Sequence, residues 1–195
     1  MPKRLGIFGG TFDPVHHGHL ILARDAMEHF DLDAMLFIPA AVSPHRLTQP
    51  PLATPDQRVE MLRLALRAEP RFQVDEIELR RPAPSYTIDT VCEIKSREPE
   101  AQLHVLIGAD QFSTLLTWHR FLDLKTLVTF IVFSRANVAG ENVETGHPRL
   151  RRRLDIAATE LRQRVASGLS IRYLVPDPVA DYIAQHQLYR EVQPS

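Results

Sequence analysis

Cysteine is nearly absent: the chain has one, Cys92, in 195 residues. A lone cysteine excludes an internal disulfide framework and any multi-cysteine metal centre. Long apolar runs are missing too, and none approaches the roughly 18 residues that a membrane-spanning helix needs. Charge of one sign is lacking, since 23 Lys and Arg against 24 Asp and Glu leave a formal net charge of −1. That balance argues against a protein that holds nucleic acid by bulk electrostatics. Met1-Pro2-Lys3-Arg4 leads directly into a short apolar stretch, which is not the pattern of a secretory signal. The expectation is a cytoplasmic globular protein with no nucleic-acid and no membrane partner, either monomer or homo-oligomer. A hydrophobic share of 44% suffices for a core, and the length favours one domain over 1–195.

Glycine is scarce, yet four of the 8 (Gly6, Gly9, Gly10, Gly18) fall in the first 18 residues. Of 9 histidines, His16, His17 and His19 fall within four positions. Apolar patterning predicts short buried strands over 5–8, 34–39, 72–79, 103–108 and 128–133, with another short strand over 154–157. It predicts helices over 18–30, from Thr54-Pro55 onward, over 86–97, over 159–167 with Gly168 as the C-cap, and over 176–185. Short strands alternating with helices indicate an α/β, Rossmann-like doubly wound parallel sheet with helices on both faces. A small C-terminal helical portion would occupy about 157–195. The stretches 39–55 and 134–149 read as mobile loops, and Arg149, Arg151, Arg152 and Arg153 as a solvated face with phosphate contact the minority reading.

A strand, a glycine pair, a loop and a helix make the geometry that sets phosphate at a helix N-terminus. Gly9 and Gly10 allow backbone N–H groups close to an anion, and His16 and His19 lie one turn apart on one side of the following helix. Two imidazoles there suit phosphoryl or nucleotidyl transfer, in which positioning and charge stabilisation dominate. The glycines fit neither the dinucleotide fingerprint nor a Walker loop. On the residues alone, a metal pair or helix-capping histidines remain alternatives. Asp110, just after a buried strand, suits a ribose or a helix N-cap. Trp118, the single tryptophan, suits the core or a stacking platform. Thr159 and Arg162 suit an ordinary cap and a surface arginine as well as a phosphate site.

Gly9-Gly10-Thr11-Phe12-Asp13-Pro14-Val15-His16-His17-Gly18-His19 resembles the signature of the H-x-G-H nucleotidyltransferase superfamily, in the form found in bacterial nicotinate-nucleotide adenylyltransferases. Other segments along the whole chain are similar to that family: Pro44-His45-Arg46, Pro84-Ser85-Tyr86-Thr87, Gly108-Ala109-Asp110, Trp118-His119, the second signature Ile156 to Arg162, and the tail through Leu188-Tyr189. The resemblance implies joining of ATP and nicotinate mononucleotide to nicotinate adenine dinucleotide and pyrophosphate, in NAD biosynthesis. It implies His16 and His19 as catalytic donors, and Gly9, Gly10, Thr11, Phe12, Gly18, Asp110, Thr159 and Arg162 as ATP-binding. It implies His45, Arg46, Thr87, Trp118 and His119 as mononucleotide-binding, and Mg²⁺ carried mainly on the ATP phosphates, with no protein metal ligand.

The chain departs from the family in two places. Ala157 stands where serine is usual, and Ala40 and Ala41 stand where asparagine is frequent. Competing readings are adenylyl transfer to nicotinamide mononucleotide or phosphopantetheine, and a nucleotide-binding regulator of weak activity. A tRNA-ligating catalytic domain is a further reading, disfavoured by the length and the neutral charge.

Overall fold

The computed structural model describes residues 1–42, 50–134, 148–152 and 154–190, without the side chains of Ser134 and Arg151. Six strands form one parallel sheet: β1 (Arg4–Gly10), β2 (Ala34–Pro39), β3 (Phe72–Val74), β4 (Gln102–Gly108), β5 (Val128–Ser134) and β6 (Arg149–Arg151). Their order is β3-β2-β1-β4-β5-β6. The chain therefore winds outward in opposite directions from the β1/β4 neighbours. In such sheets ligands bind beyond the strands' carboxyl ends at that switch point.

Side-chain alternation along the strands divides the core into two layers. Phe8, Met35, Phe37, Leu106, Ile131 and Phe133 face one side, and Leu5, Ile7, Leu36, Ile38, Val105 and Val132 face the other. The first side is covered by α1 (His17–His29), α2 (Pro55–Leu66), α6 (Ala158–Ala166) and α7 (Asp177–Gln185), which bury Leu22, Met61, Leu161 and Ile183 among others. The second is covered by α3 (Thr87–Arg97) and α5 (Phe121–Leu127), through Ile88, Val91 and Leu124. A short α4 (Ala109–Ser113) and a 3-10 turn (Leu115–Thr117) link β4 to α5. Two helix ends follow the sequence signals, with Gly168 one place past the Ser167 C-cap. Thr54 Oγ1 accepts from the Gln57 N–H at 3.3 Å while Gln57 Oε1 accepts from the Thr54 N–H at 2.9 Å. After α6 the chain turns through Gly168 at φ +70°, with Leu169 N–H on the Arg164 carbonyl and Gly168 N–H on that of Val165.

The fold class is as expected, with four local differences. The strand expected over 72–79 ends at Val74, because the Asp75 carboxylate accepts the Ile77 N–H at 3.1 Å and starts a turn. The last strand is Arg149–Arg151 rather than 154–157, which carries no ladder. The arginine run is thus partly strand, and Arg152 pairs with Asp25 of α1 at 2.7 and 3.0 Å. Finally, α6 starts at Ala158, so Thr159 is its second residue and Ala157 the N-cap. Most of the loop over 134–149, together with Arg153, lies outside the described residues.

A carboxylate ties α1 to the turn before β3. Glu69 accepts from the Arg71 N–H at 3.2 Å and from Arg71 Nε at 3.1 Å, and it also pairs with Arg24. The Arg71 and Arg24 guanidiniums hold the Glu69 carboxyl at about 2, below the ordinary 4.5. A lowered folded-state pKa makes this stabilisation complete above 4.5 and lost as pH falls towards about 2. Both arginines are more than one-third exposed, which keeps the effect near that of surface pairs, up to about 1 kcal/mol. Glu69→Gln should therefore lower Tm at pH 7 by about 1–4 °C. Thermal scans should show the gap from the parent closing as pH falls through that window.

Candidate active site

The first signature sits at the carboxyl end of β1, where Gly9 and Gly10 pair with Ile38 and Pro39 of β2. The ladder fixes these two glycines, and a Cβ at Gly9 would face open space. Phe12 follows with φ 51°, a left-handed conformation that is costly for an aromatic residue, and its ring is buried. Phe12 can therefore offer a ligand only its backbone.

Asp13 is buried and anchors the turn. Its carboxylate accepts from Leu52 N–H at 2.8 Å, Ala53 N–H at 3.1 Å and the Tyr189 hydroxyl at 2.7 Å. Two arginines reach the neighbouring carbonyls: Arg58 Nη1 donates to Thr11 O and Arg162 Nη1 to Asp13 O, both at 2.8 Å. Burial draws the Arg58 guanidinium down from the ordinary arginine value, and the Asp13 charge opposes that. Burial first, then Asp13, pushes the Tyr189 phenol up, so it remains a protonated donor.

The two histidines come together at the start of α1. His16 is the N-cap residue, and His19 Nδ1 accepts its backbone N–H at 3.2 Å. A neutral His19 then carries its proton on Nε2. The rings stack with centroids 3.7 Å apart. His19 also packs on Phe12 at 5.0 Å and Phe8 at 5.8 Å, so an aromatic bed sets its orientation. Gly18 is what lets the His16 ring lie over the first turn: a Cβ at position 18 would come within 2.9 Å of His16 Nδ1.

The second signature abuts the first. Ile156 Cβ lies 3.7 Å from where a Gly18 Cβ would stand, and Arg162 bonds to Asp13 as described. Thr159 Oγ1 meets Arg162 Nη2 at 3.4 Å, and Ala157 offers the α6 N-terminus no side-chain cap. Asp110 lies exposed in the first turn of α4, just beyond β4 and hence at the switch point, with Gly108 rather than Asp110 as N-cap.

A second group forms on the α3/α5 side. Thr87 is the first residue of α3, where backbone N–H groups lack helical partners. Tyr86, its N-cap, stacks on His119 with centroids 4.4 Å apart. Trp118 is half-buried and meets Phe130 edge-on at 6.4 Å. Ser85 ties this segment to the end of β2, donating its N–H to Val42 O at 3.1 Å and accepting the Ala41 N–H at 3.3 Å. Beneath it the buried Glu78 accepts from Thr90 Oγ1 at 2.8 Å, and burial pushes its carboxyl up. His45 and Arg46 lie outside the described residues.

Sequence reasoning gave no role to Asp13, Arg58, Tyr86 or Tyr189. Asp13, Tyr86 and Tyr189 lie inside segments that carry the family resemblance. Arg58 reads as one polar residue of a helix, so no local signal marks it. Among the described residues no three His, Cys, Asp or Glu gather as a metal cage, and no helix is long and apolar enough to cross a membrane.

Comparison with known proteins adds to this geometry. The model of the cytidylyltransferase-like family matches residues 7–164. A probable nicotinate-nucleotide adenylyltransferase of Thermomicrobium roseum is 40% identical, over 98% of this chain and 94% of its own. One from Exiguobacterium sibiricum is 42% identical, over 95% and 98%. Among solved structures, the nicotinic acid mononucleotide adenylyltransferase of Plasmodium falciparum complexed with NaAD superposes with a TM-score of 0.79, covering 96% of this chain and 98% of that one. At 17% identity that likeness speaks for the fold alone.

Proposed function

The chain belongs to the nicotinate-nucleotide adenylyltransferases of the cytidylyltransferase-like family, and from that premise we propose how its own residues divide the work. The reaction is adenylyl transfer in NAD biosynthesis. An oxygen of the nicotinate mononucleotide phosphate forms a bond to the α-phosphorus of ATP. The bond from that phosphorus to the bridging oxygen breaks, and pyrophosphate leaves with the electron pair. The nucleophile is already anionic, so no activated side chain is required.

The observation that carries the reading is the His16–His19 pair at the α1 N-terminus, beside the ladder-held Gly9 and Gly10. With Nδ1 taken by the His16 N–H, His19 presents Nε2–H to the oxygens where charge grows in the transition state. His16 donates from the adjacent ring. The backbone of Gly9 to Phe12, with Gly18, cradles the ATP phosphates, and the helix dipole favours them. Asp110 takes the ATP ribose from the β4 side of the switch point. Thr159 and the remaining N–H groups of Arg162 meet the departing pyrophosphate end at the α6 N-terminus. Mg²⁺, when bound to ATP, neutralises phosphate charge, and a cation carried on phosphates and water asks for no protein cage.

Nicotinate binds in the second group. Trp118 offers a face to the pyridine ring, and backbone N–H groups at Thr87 and His119 meet its carboxylate. His45 and Arg46 hold the mononucleotide phosphate. A site built from donors rejects the amide analogue, whose NH₂ would leave them unsatisfied. We place the reaction in the cytoplasm.

The test is pyrophosphate release from ATP and Mg²⁺ with three acceptors side by side. Nicotinate mononucleotide should exceed nicotinamide mononucleotide by at least about 10²-fold in kcat/KM, the scale of unpaired donors. Comparable rates would discard the Thr87, Trp118 and His119 assignment. Turnover with phosphopantetheine alone would discard the acceptor, and no release with any acceptor would favour a nucleotide-binding regulator.

A further inference from the structure

We propose that Tyr189, from the C-terminal tail, is a positioning residue for adenylyl transfer: through Asp13 it fixes the turn that delivers His16 and His19. The inference rests on the reading of those histidines as the transition-state donors.

The turn between the glycine pair and the histidines holds an unfavourable backbone. Phe12 is left-handed at φ 51°, and such a conformation persists only where the surroundings over-determine it. Three distant parts of the chain supply that constraint. Arg58 of α2 grips the Thr11 carbonyl, Arg162 of α6 grips the Asp13 carbonyl, and the Asp13 carboxylate takes Leu52, Ala53 and Tyr189. Tyr189 is itself left-handed at φ 62° and buried. A tail held in that conformation with its hydroxyl 2.7 Å from Asp13 Oδ1 is specified by the contact, not by helix propensity.

The arrangement separates binding from chemistry. Gly9 and Gly10 lie before the turn and are fixed by the β1–β2 ladder, whatever Tyr189 does. His16 lies three residues beyond Asp13, and its N–H in turn holds the His19 ring. Loosening Asp13 therefore leaves the Gly9–Gly10 part of the cradle in place and moves the donors. Donors that act on the transition state affect kcat, whereas ground-state binding is seen in KM.

The experiment is steady-state kinetics of Tyr189→Phe, which keeps the ring and removes only the hydroxyl. His19→Ala and Tyr182→Phe run in parallel, each well below its own Tm. Tyr182 lies on α7 and stacks on His186 at 4.1 Å, so its variant reports the stability of the tail alone. For Tyr189→Phe we expect kcat to fall about 10-fold or more with KM for both substrates within two-fold, on the scale of an ångström-level misplacement. Tyr182→Phe should leave kcat unchanged. A Tyr189→Phe kcat within two-fold of the parent, with His19→Ala inactive, overturns the positioning role and leaves the site reading standing, even if Tm falls. A His19→Ala enzyme with parental activity overturns the site reading, and this inference with it. If Tyr189→Phe does not fold, Asp13→Asn reports on the same contact, since one of the two acceptor oxygens that hold Leu52, Ala53 and Tyr189 is lost; parental kcat in the folded Asp13→Asn protein overturns the proposal.

Discussion

His19→Ala should lower kcat on the order of 10²–10³-fold while KM for ATP moves only a few-fold, as for loss of one transition-state donor. The aromatic bed of Phe8 and Phe12 remains, and Gly9 and Gly10 are held by the β1–β2 ladder. On the proposed reading, what disappears is the Nε2–H aimed at growing charge, together with the acceptor for the His16 N–H. Loss of that acceptor is comparable to loss of a cap, about 1 kcal/mol, so Tm should fall by about 2–4 °C. A kinetic loss of roughly 3–4 kcal/mol therefore far exceeds the loss in stability. His29→Ala is the comparison: His29 is exposed at the other end of α1, with Nδ1 3.1 Å from the Asp25 carbonyl, and its variant should turn over like the parent. Parental kcat in His19→Ala would remove His19 from the chemistry.

The sheet was legible because buried parallel strands are written as short apolar runs, and five of the six were read near their places. Phe72 to Leu79 misled because Asp75 ends the strand with a side-chain hydrogen bond that alternation does not encode. The three short helical pieces over 109–127 went unread. Each is less than three turns long, and at that length tertiary packing outweighs propensity. The N-cap of α6 is Ala157 rather than Thr159, which is the better capping residue in isolation, so the structure caps the helix two places earlier.

The candidate site was legible where the signature compresses it into eleven consecutive residues. The contacts that hold it were not. Asp13 touches Leu52, Ala53 and Tyr189, positions 39 to 176 residues away, and Arg162 reaches back 149 residues to the Asp13 carbonyl. No periodicity joins such pairs, since they meet only once the sheet has brought α2, α6 and the tail to one end. The Tyr86–His119 stack is the same case on the other side: a helix cap and a loop that become neighbours through β4.

Gly18→Ala should separate stability from activity more sharply than any side-chain truncation. Alanine exceeds glycine as a helix former by about 0.5–1 kcal/mol, and Gly18 is the second residue of α1 with no positive φ to protect. Propensity alone predicts a firmer helix. Its new methyl group would stand 2.9 Å from His16 Nδ1 and 3.0 Å from Cε1, closer than carbon tolerates. Two responses are open. The ring can stay, with overpacking of about 1–3 kcal/mol offsetting the helix gain. Or it can swing away, relieving the strain and leaving the 3.7 Å stack on His19. His16 is 2% exposed and its ring is the movable partner, whereas the methyl sits on helix backbone, so the ring gives way. A donor moved by about 1 Å costs on the order of 10²-fold in rate. The expected outcome is kcat down by about that factor with Tm within about 4 °C of the parent, read from initial rates and a thermal scan of the same preparation. Parental turnover would mean that His16 tolerates displacement, and its place among the transition-state donors would fall, leaving His19 to act alone.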